Sequence, residues 1–151
     1  MALRPDRVEF FTDLSYFMNE TSERGIIVVH DTGGSGAAMD DAAATVKIPS
    51  DGVSGTNPAG LLLCDVVNLD LTRQHINFAK DEMQQGGKVL LLRRGWVVTD
   101  QVSGTPTIGA DAYYNLNGAV SATDPGNSTK VGRFLSIKDA DGYAKVDINI
   151  I

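Results

Sequence analysis

A chain of 151 residues has room for one domain with a substantial core, and 16 glycines with few aromatic residues favour a turn-rich chain over a helical bundle. Nineteen acidic residues against 13 basic ones give a net charge of −6, which excludes non-specific attraction to nucleic-acid phosphates or to anionic membranes. The single cysteine excludes an internal disulfide, and no run approaches the roughly 20 apolar residues of a membrane-spanning helix, so synthesis and residence in the cytoplasm are expected.

Residues 1–24 read differently from the rest. Phe10, Phe11, Leu14, Phe17 and Met18 recur with helical spacing behind Pro5 and Asp6, which predicts a short amphipathic helix. Phe10, Thr12, Leu14, Tyr16 and Met18 also alternate, which predicts an extended arm, and the pattern leaves both open. Three of the five phenylalanines lie here; packing on the chain's own barrel is the ordinary use of such side chains, and packing on a partner is the alternative.

From Gly25 onward strand signals dominate, and residues 25–151 are read as one β-barrel-like domain. The β-branched run Gly25 to His30 and the alternating Ala44 to Ile48 predict two strands joined by the polar loop Asp31 to Ala37. After the loop Ser50 to Pro58, the apolar run Leu61 to Val67 predicts a strand buried on both faces. Residues 71–85 lack proline and glycine and place Ile76, Ala79 and Met83 on one face, which predicts a short helical insertion ended by Gly86 and Gly87. Lys88 to Arg94 and Trp96 to Thr99 flank Gly95, predicting a hairpin or a sharply bent strand.

Asn117-Gly118, between Ala112 to Leu116 and Ala119 to Ser121, is a strong hairpin signal, because both residues tolerate the positive φ of a type I′ turn. Asp141-Gly142 marks a second hairpin between Lys130 to Ile137 and Tyr143 to Ile150. In the last strand Ala144, Val146, Ile148 and Ile150 face one side while Lys145, Asp147 and Asn149 face the other, so it is half-buried. The fold class is mainly β, a small barrel or sandwich with hairpins, one short helical insertion and an N-terminal arm or helix.

The chemistry-bearing residues do not converge in the sequence. Cys64 sits in an apolar run without nearby basic residues, where burial raises a thiol pKa and leaves it inert. His30 ends a strand and His75 lies in the helical insertion, with no metal-ligand spacing around either. Gly33-Gly-Ser-Gly36 lacks the Lys-Ser/Thr of a phosphate loop, and Asp139-Ala-Asp-Gly142 lacks the remaining ligands of a calcium loop. No catalytic, metal or cofactor residue is assigned. Lys88, Arg93 and Arg94 form a small basic cluster, read as a solvated strand face or as a contact for an acidic neighbour or a nucleic acid.

The stretch Leu61 to Asp100, LLLCDVVNLDLTRQHINFAKDEMQQGGKVLLLRRGWVVTD, resembles a segment of capsid decoration, or cement, proteins of tailed bacteriophages. AYYNLNGAVSA and VGRFLSIKDADGYAKVDINI, within Ala112 to Ile150, resemble the glycine-punctuated β-barrel end of the same group. Together these stretches cover about half the chain. The resemblance implies a non-enzymatic subunit without cofactor, bound to the major capsid protein on the outer capsid surface after assembly in the host cytoplasm. It further implies a homo-oligomer, a trimer by analogy, that bridges capsomers. The residues expected to make capsid or subunit contacts are Phe10, Phe11, Leu14, Phe17, Met18, Lys88, Arg93 and Arg94. Two alternatives stand beside this one: a tail or fibre-attachment subunit, and a carbohydrate-binding β module in which Trp96, Tyr113 or Tyr114 stacks on sugars.

Overall fold

The structure, a computed structural model, describes residues 2–31, 45–50, 52–65 and 81–150. In chain order the strands are β1 (Val8–Met18), β2 (Ser22–Glu23), β3 (Ile27–His30), β4 (Thr45–Lys47), β5 (Pro58–Asp65) and β6 (Glu82–Met83). They continue as β7 (Lys88–Thr99), β8 (Val102–Ser103), β9 (Asp111–Tyr114), β10 (Val120–Ser121), β11 (Gly132–Phe134) and β12 (Ala144–Asn149). Apart from one 3₁₀ turn at Leu116–Gly118, no helix occurs among the described residues, and the mainly β reading of the sequence holds.

The first half closes on itself. β1 pairs with β4 in parallel, and β4 with β3, β3 with β5, β5 with β7 and β7 with β1 pair antiparallel, so five strands form a ring. Every strand of the ring sends side chains into one cluster: Met18, Val28, Val46, Ala59, Leu62, Val89 and Leu91 are buried together. This cluster fills the barrel, as in small barrels whose lumen is occupied by side chains.

The second half is built on the far end of β7. Beyond the ring, β7 pairs with β12, and the sheet runs on through β11, β9, β10 and β8. Its inner face, with Phe134, Tyr114, Val146 and Ile148, packs against the outer face of the barrel at Ile27, Leu61, Leu63 and Leu92. Strand period explains the arrangement: Leu61 and Leu63 point to one core and Leu62 to the other, so β5 is buried on both faces from Ala59 to Leu63, as its run of leucines predicts. In β12 Ala144, Val146 and Ile148 are buried while Lys145, Asp147 and Asn149 are not, in agreement with the predicted alternation.

Several local expectations are corrected. Of the two readings left open for this segment, residues 8–18 take the extended one and not the helix: pairing with β7 from Val8↔Trp96 to Phe17↔Lys88 satisfies the backbone that a helix would have satisfied internally. The predicted helix over 71–85 lies outside the described residues as far as 80, and within 81–85 Glu82 and Met83 form β6, paired with Ser22 and Glu23 of β2. Met83 is buried in the barrel core, and that tertiary contact outweighs the helical propensity of its neighbours. Gly86, at φ 82°, ends no helix; its N–H donates to Met18 O at 2.8 Å in the turn that leads into β7.

Gly95 marks no hairpin, because β7 passes through it without interruption. A Cβ there would collide with the carbonyl of Val8, so only glycine lets β1 lie so close. Asn117 and Gly118 both have positive φ, 70° and 79°, in the connection that pairs Tyr114 with Val120, but the loop spans five residues where a two-residue turn was expected. The hairpin at Asp141-Gly142 is likewise present, with strands shortened to Gly132–Phe134 and Ala144–Asn149.

Candidate functional site

The residues expected at a contact surface lie on adjacent strands, β1 and β7. The register pairs Phe11 with Arg94 and Phe17 with Lys88. Glu9 pairs with Gly95 and Phe11 with Arg94, so Phe10 is an extra residue on β1, a bulge; Phe11 to Thr12 against Arg94 to Leu92 then leaves Arg93 extra on β7. In an unbroken strand neighbouring side chains point to opposite faces. The bulge releases that constraint, and Phe10 and Phe11 are both exposed, at 69% and 56%. Together with Arg94 they line one shallow depression of about 220 Å³.

The other expected contacts divide. Leu14 and Phe17 are half-buried, and the Lys88 ammonium lies 5.2 Å from the centre of the Phe17 ring. Met18 is 1% exposed and belongs to the barrel core, so it is not available to a partner. Arg93 reaches Asp13 at 3.5 Å and is partly covered. Arg94, exposed, has no ion-pair partner among the described residues, whereas Arg7 close by holds Glu9 at 2.8 Å. The surface is therefore two bare phenylalanine rings and one uncompensated guanidinium.

Exposed apolar side chains the sequence reading did not single out are Ile108, Leu116 and Ile137, at 73%, 50% and 60%. Each stands beside turn residues, Gly109, Asn117 and Lys138-Asp139, and that was the available signal.

The reactive side chains are accounted for structurally. Burial pushes the Cys64 thiol up, as expected, but the expected absence of basic neighbours is corrected: Arg7 and Arg24 lower it, while Asp65 and Glu9 raise it. His30 packs edge-on against Tyr16 with ring centres 5.2 Å apart, and burial, then the Arg93 charge, hold its pKa below the ordinary histidine value against the opposing pull of Asp13. His75 and Gly33 to Gly36 lie outside the described residues. Asp139 accepts hydrogen bonds from the N–H groups of Asp141 and Tyr143, both at 2.9 Å, and both carboxylates lie 3.3 Å from Arg4, so this loop is a turn closed by an ion pair. Among the described residues no group of three or more His, Cys, Asp or Glu could hold a metal ion.

Of the three aromatics considered for stacking on sugars, Trp96 and Tyr113 are half-buried and Tyr114 is withdrawn into the core. Tyr114 is fully buried with its hydroxyl 2.7 Å from the Thr56 hydroxyl, and the exposed side of Trp96 is covered by the Lys145 ammonium, 3.6 Å from the ring centre.

Comparison with curated proteins gives no match to this chain. The family profile described as structural cement protein (E217 gp24/Pam3 gp6) matches residues 11–149, more than nine-tenths of the chain, from β1 to the end of β12. A match of that extent takes in the second sheet and the barrel except for Val8 to Phe10 at the start of β1, and the chain belongs to the structural cement protein family of phages.

Proposed function

We propose that this virion cement protein attaches to the outer surface of a tailed-phage head, contacts the major capsid protein, and stabilises the head without catalysis by bridging neighbouring capsomers. The observation that carries the reading is the exposed Phe10-Phe11 pair beside Arg94 on the bulged β1–β7 edge. A small protein gains nothing in its own stability from leaving such rings in water. Burying a phenylalanine side chain in an interface contributes about 1.5–3 kcal/mol, so two rings supply a central anchor of the kind that dominates protein interfaces.

A capsid lattice repeats the same site many times. A subunit or homo-oligomer that engages several capsomers at once gains avidity from effective concentration, even where each contact is weak. Oligomers around a three-fold axis fit that logic because closed symmetry matches local lattice symmetry. Assembly takes place in the host cytoplasm, and the subunit joins the particle there.

Co-sedimentation of the purified protein with expanded heads stripped of cement protein tests the reading. Saturable binding at a fixed copy number per capsomer supports it. Recovery of the protein on tails or free in solution, with no uptake by heads, overturns it. Because β1 is a wall of the barrel, truncation of residues 1–24 opens the fold, and the contact is better probed by Phe10→Ser with Phe11→Ser. That pair is expected to weaken head binding at least about tenfold with little change in melting temperature.

A further inference from the structure

We infer that the depression formed by Phe10, Phe11 and Arg94 receives an extended segment of the capsid subunit that places an apolar side chain between the two rings and a carboxylate on the Arg94 guanidinium. The inference rests on the capsid-binding reading above and names the chemistry of its partner.

Three features converge on this occupant. The bulge at Phe10 sets two consecutive rings on one exposed side, a geometry a regular strand does not provide, and bulges characteristically re-aim side chains beside functional sites. The depression between the rings and Arg94 is apolar on one wall and cationic on the other, so it matches a ligand with both characters. Arg94 lacks an ion-pair partner among the described residues, although Arg7 and Arg93 near it are paired with Glu9 and Asp13. A planar guanidinium left free beside aromatic rings is suited to bidentate recognition of a carboxylate.

Phe17 pairs with Lys88 of β7 on one side and with Thr45 of β4 on the other, so β4 lies along the edge of β1 that faces away from β7. Among the described residues β4 covers that edge only at Phe17 and Met18, and Glu9 to Thr12 are exposed.

A second copy of this chain is the competing occupant, and charge disfavours it. In a two-fold pairing centred on Phe10 and Phe11, Arg94 beside Phe11 would approach its own symmetry mate, and the chain carries a net charge of −6 in any case.

The test replaces the guanidinium by an amine and fixes what it touches. The variant Arg94→Lys is bound to expanded, cement-depleted heads, treated with a water-soluble carbodiimide that couples amines to adjacent carboxylates, and the products are mapped by mass spectrometry. The expected result is a cross-link from position 94 to an Asp or Glu of the major capsid subunit, reduced at least about tenfold when Phe11→Ser is added. A cross-link from position 94 to another copy of the chain overturns the inference in favour of self-association. Normal uptake of the variant by heads with no cross-link at position 94 overturns it as well, while leaving the capsid-binding reading intact. Failure of the parent protein to bind heads at all is the distinct outcome that removes that reading and the inference together.

Discussion

His30 shows how one side chain ties the barrel to pH. Its ring packs on Tyr16, and burial together with Arg93 holds its pKa below the ordinary value of 6.5, with Asp13 pulling the other way. The unfolded chain takes up the proton near that ordinary value while the folded chain resists it. Stability is therefore undiminished above about pH 6.5 and is lost progressively as the pH falls toward the lower folded-state pKa. Urea midpoints measured between about pH 7.5 and pH 5.5 are expected to fall for the parent protein and to change less for His30→Gln. Equal slopes for the two would show that another group carries the effect. Cys64 provides a second check at this scale: with its thiol pushed up by burial, it is expected to react with a thiol reagent much more slowly in the folded protein than in urea.

Among the elements, β6, one of four two-residue strands, is the most instructive. Two residues, Glu82 and Met83, pair with β2, and the Met83 side chain enters the barrel among Leu62, Val89 and Leu91. Met83→Ala is expected to cost about 2–5 kcal/mol, the range for truncating a fully buried Met, read from denaturant unfolding; a loss below about 1 kcal/mol would show that the barrel end can collapse around the change. β11 carries a different constraint. A Cβ on Gly132 would run into the backbone of Asp147 on β12, so Gly132→Ala is expected to destabilise although its φ is ordinary, with a lowered melting temperature as the measurement.

These elements also show what the sequence makes legible. β5, β7 and β12 were readable because their apolar runs and alternation report burial directly: Leu61 to Leu63 lie between two cores, and Ala144, Val146 and Ile148 face one. The hairpin positions were readable from Asn117-Gly118 and Asp141-Gly142, since glycine and asparagine accept positive φ, but loop lengths were not, because they depend on hydrogen bonds such as Asn115 N–H to Ala119 O. β1 was ambiguous for a physical reason. The adjacent rings of Phe10 and Phe11 fit helical spacing, and the bulge that places both outward in a strand depends on β7, more than 80 residues away. The candidate surface was legible in its residue types, Phe10, Phe11 and Arg94, and illegible in its selection, since nothing local distinguishes exposed Phe11 from buried Met18.

For the whole molecule, β7 is the shared wall. On one edge it carries β1, and on the other it carries β5 and then β12, so the barrel and the second sheet are held in one continuous strand. The head-binding surface proposed on β1 is thereby joined to the second sheet through a single backbone. Load applied at Phe10 and Phe11 passes into the β7 ladder in shear along hydrogen bonds arranged side by side.

The same wiring fixes the order in which the chain can mature. β1 leaves the ribosome before β7, yet its ladder requires Lys88 to Trp96, and until those residues emerge Phe10 and Phe11 lack that partner strand. Closing the ring is thus a late, long-range event of the kind that slows folding and exposes nascent chains to aggregation. A nascent chain arrested with β7 still inside the ribosomal tunnel is expected to be degraded by protease throughout β1 to β5, and one arrested after β12 has emerged is expected to resist. The rings proposed to dock on a particle surface are then also a part of the newborn chain exposed to chaperones.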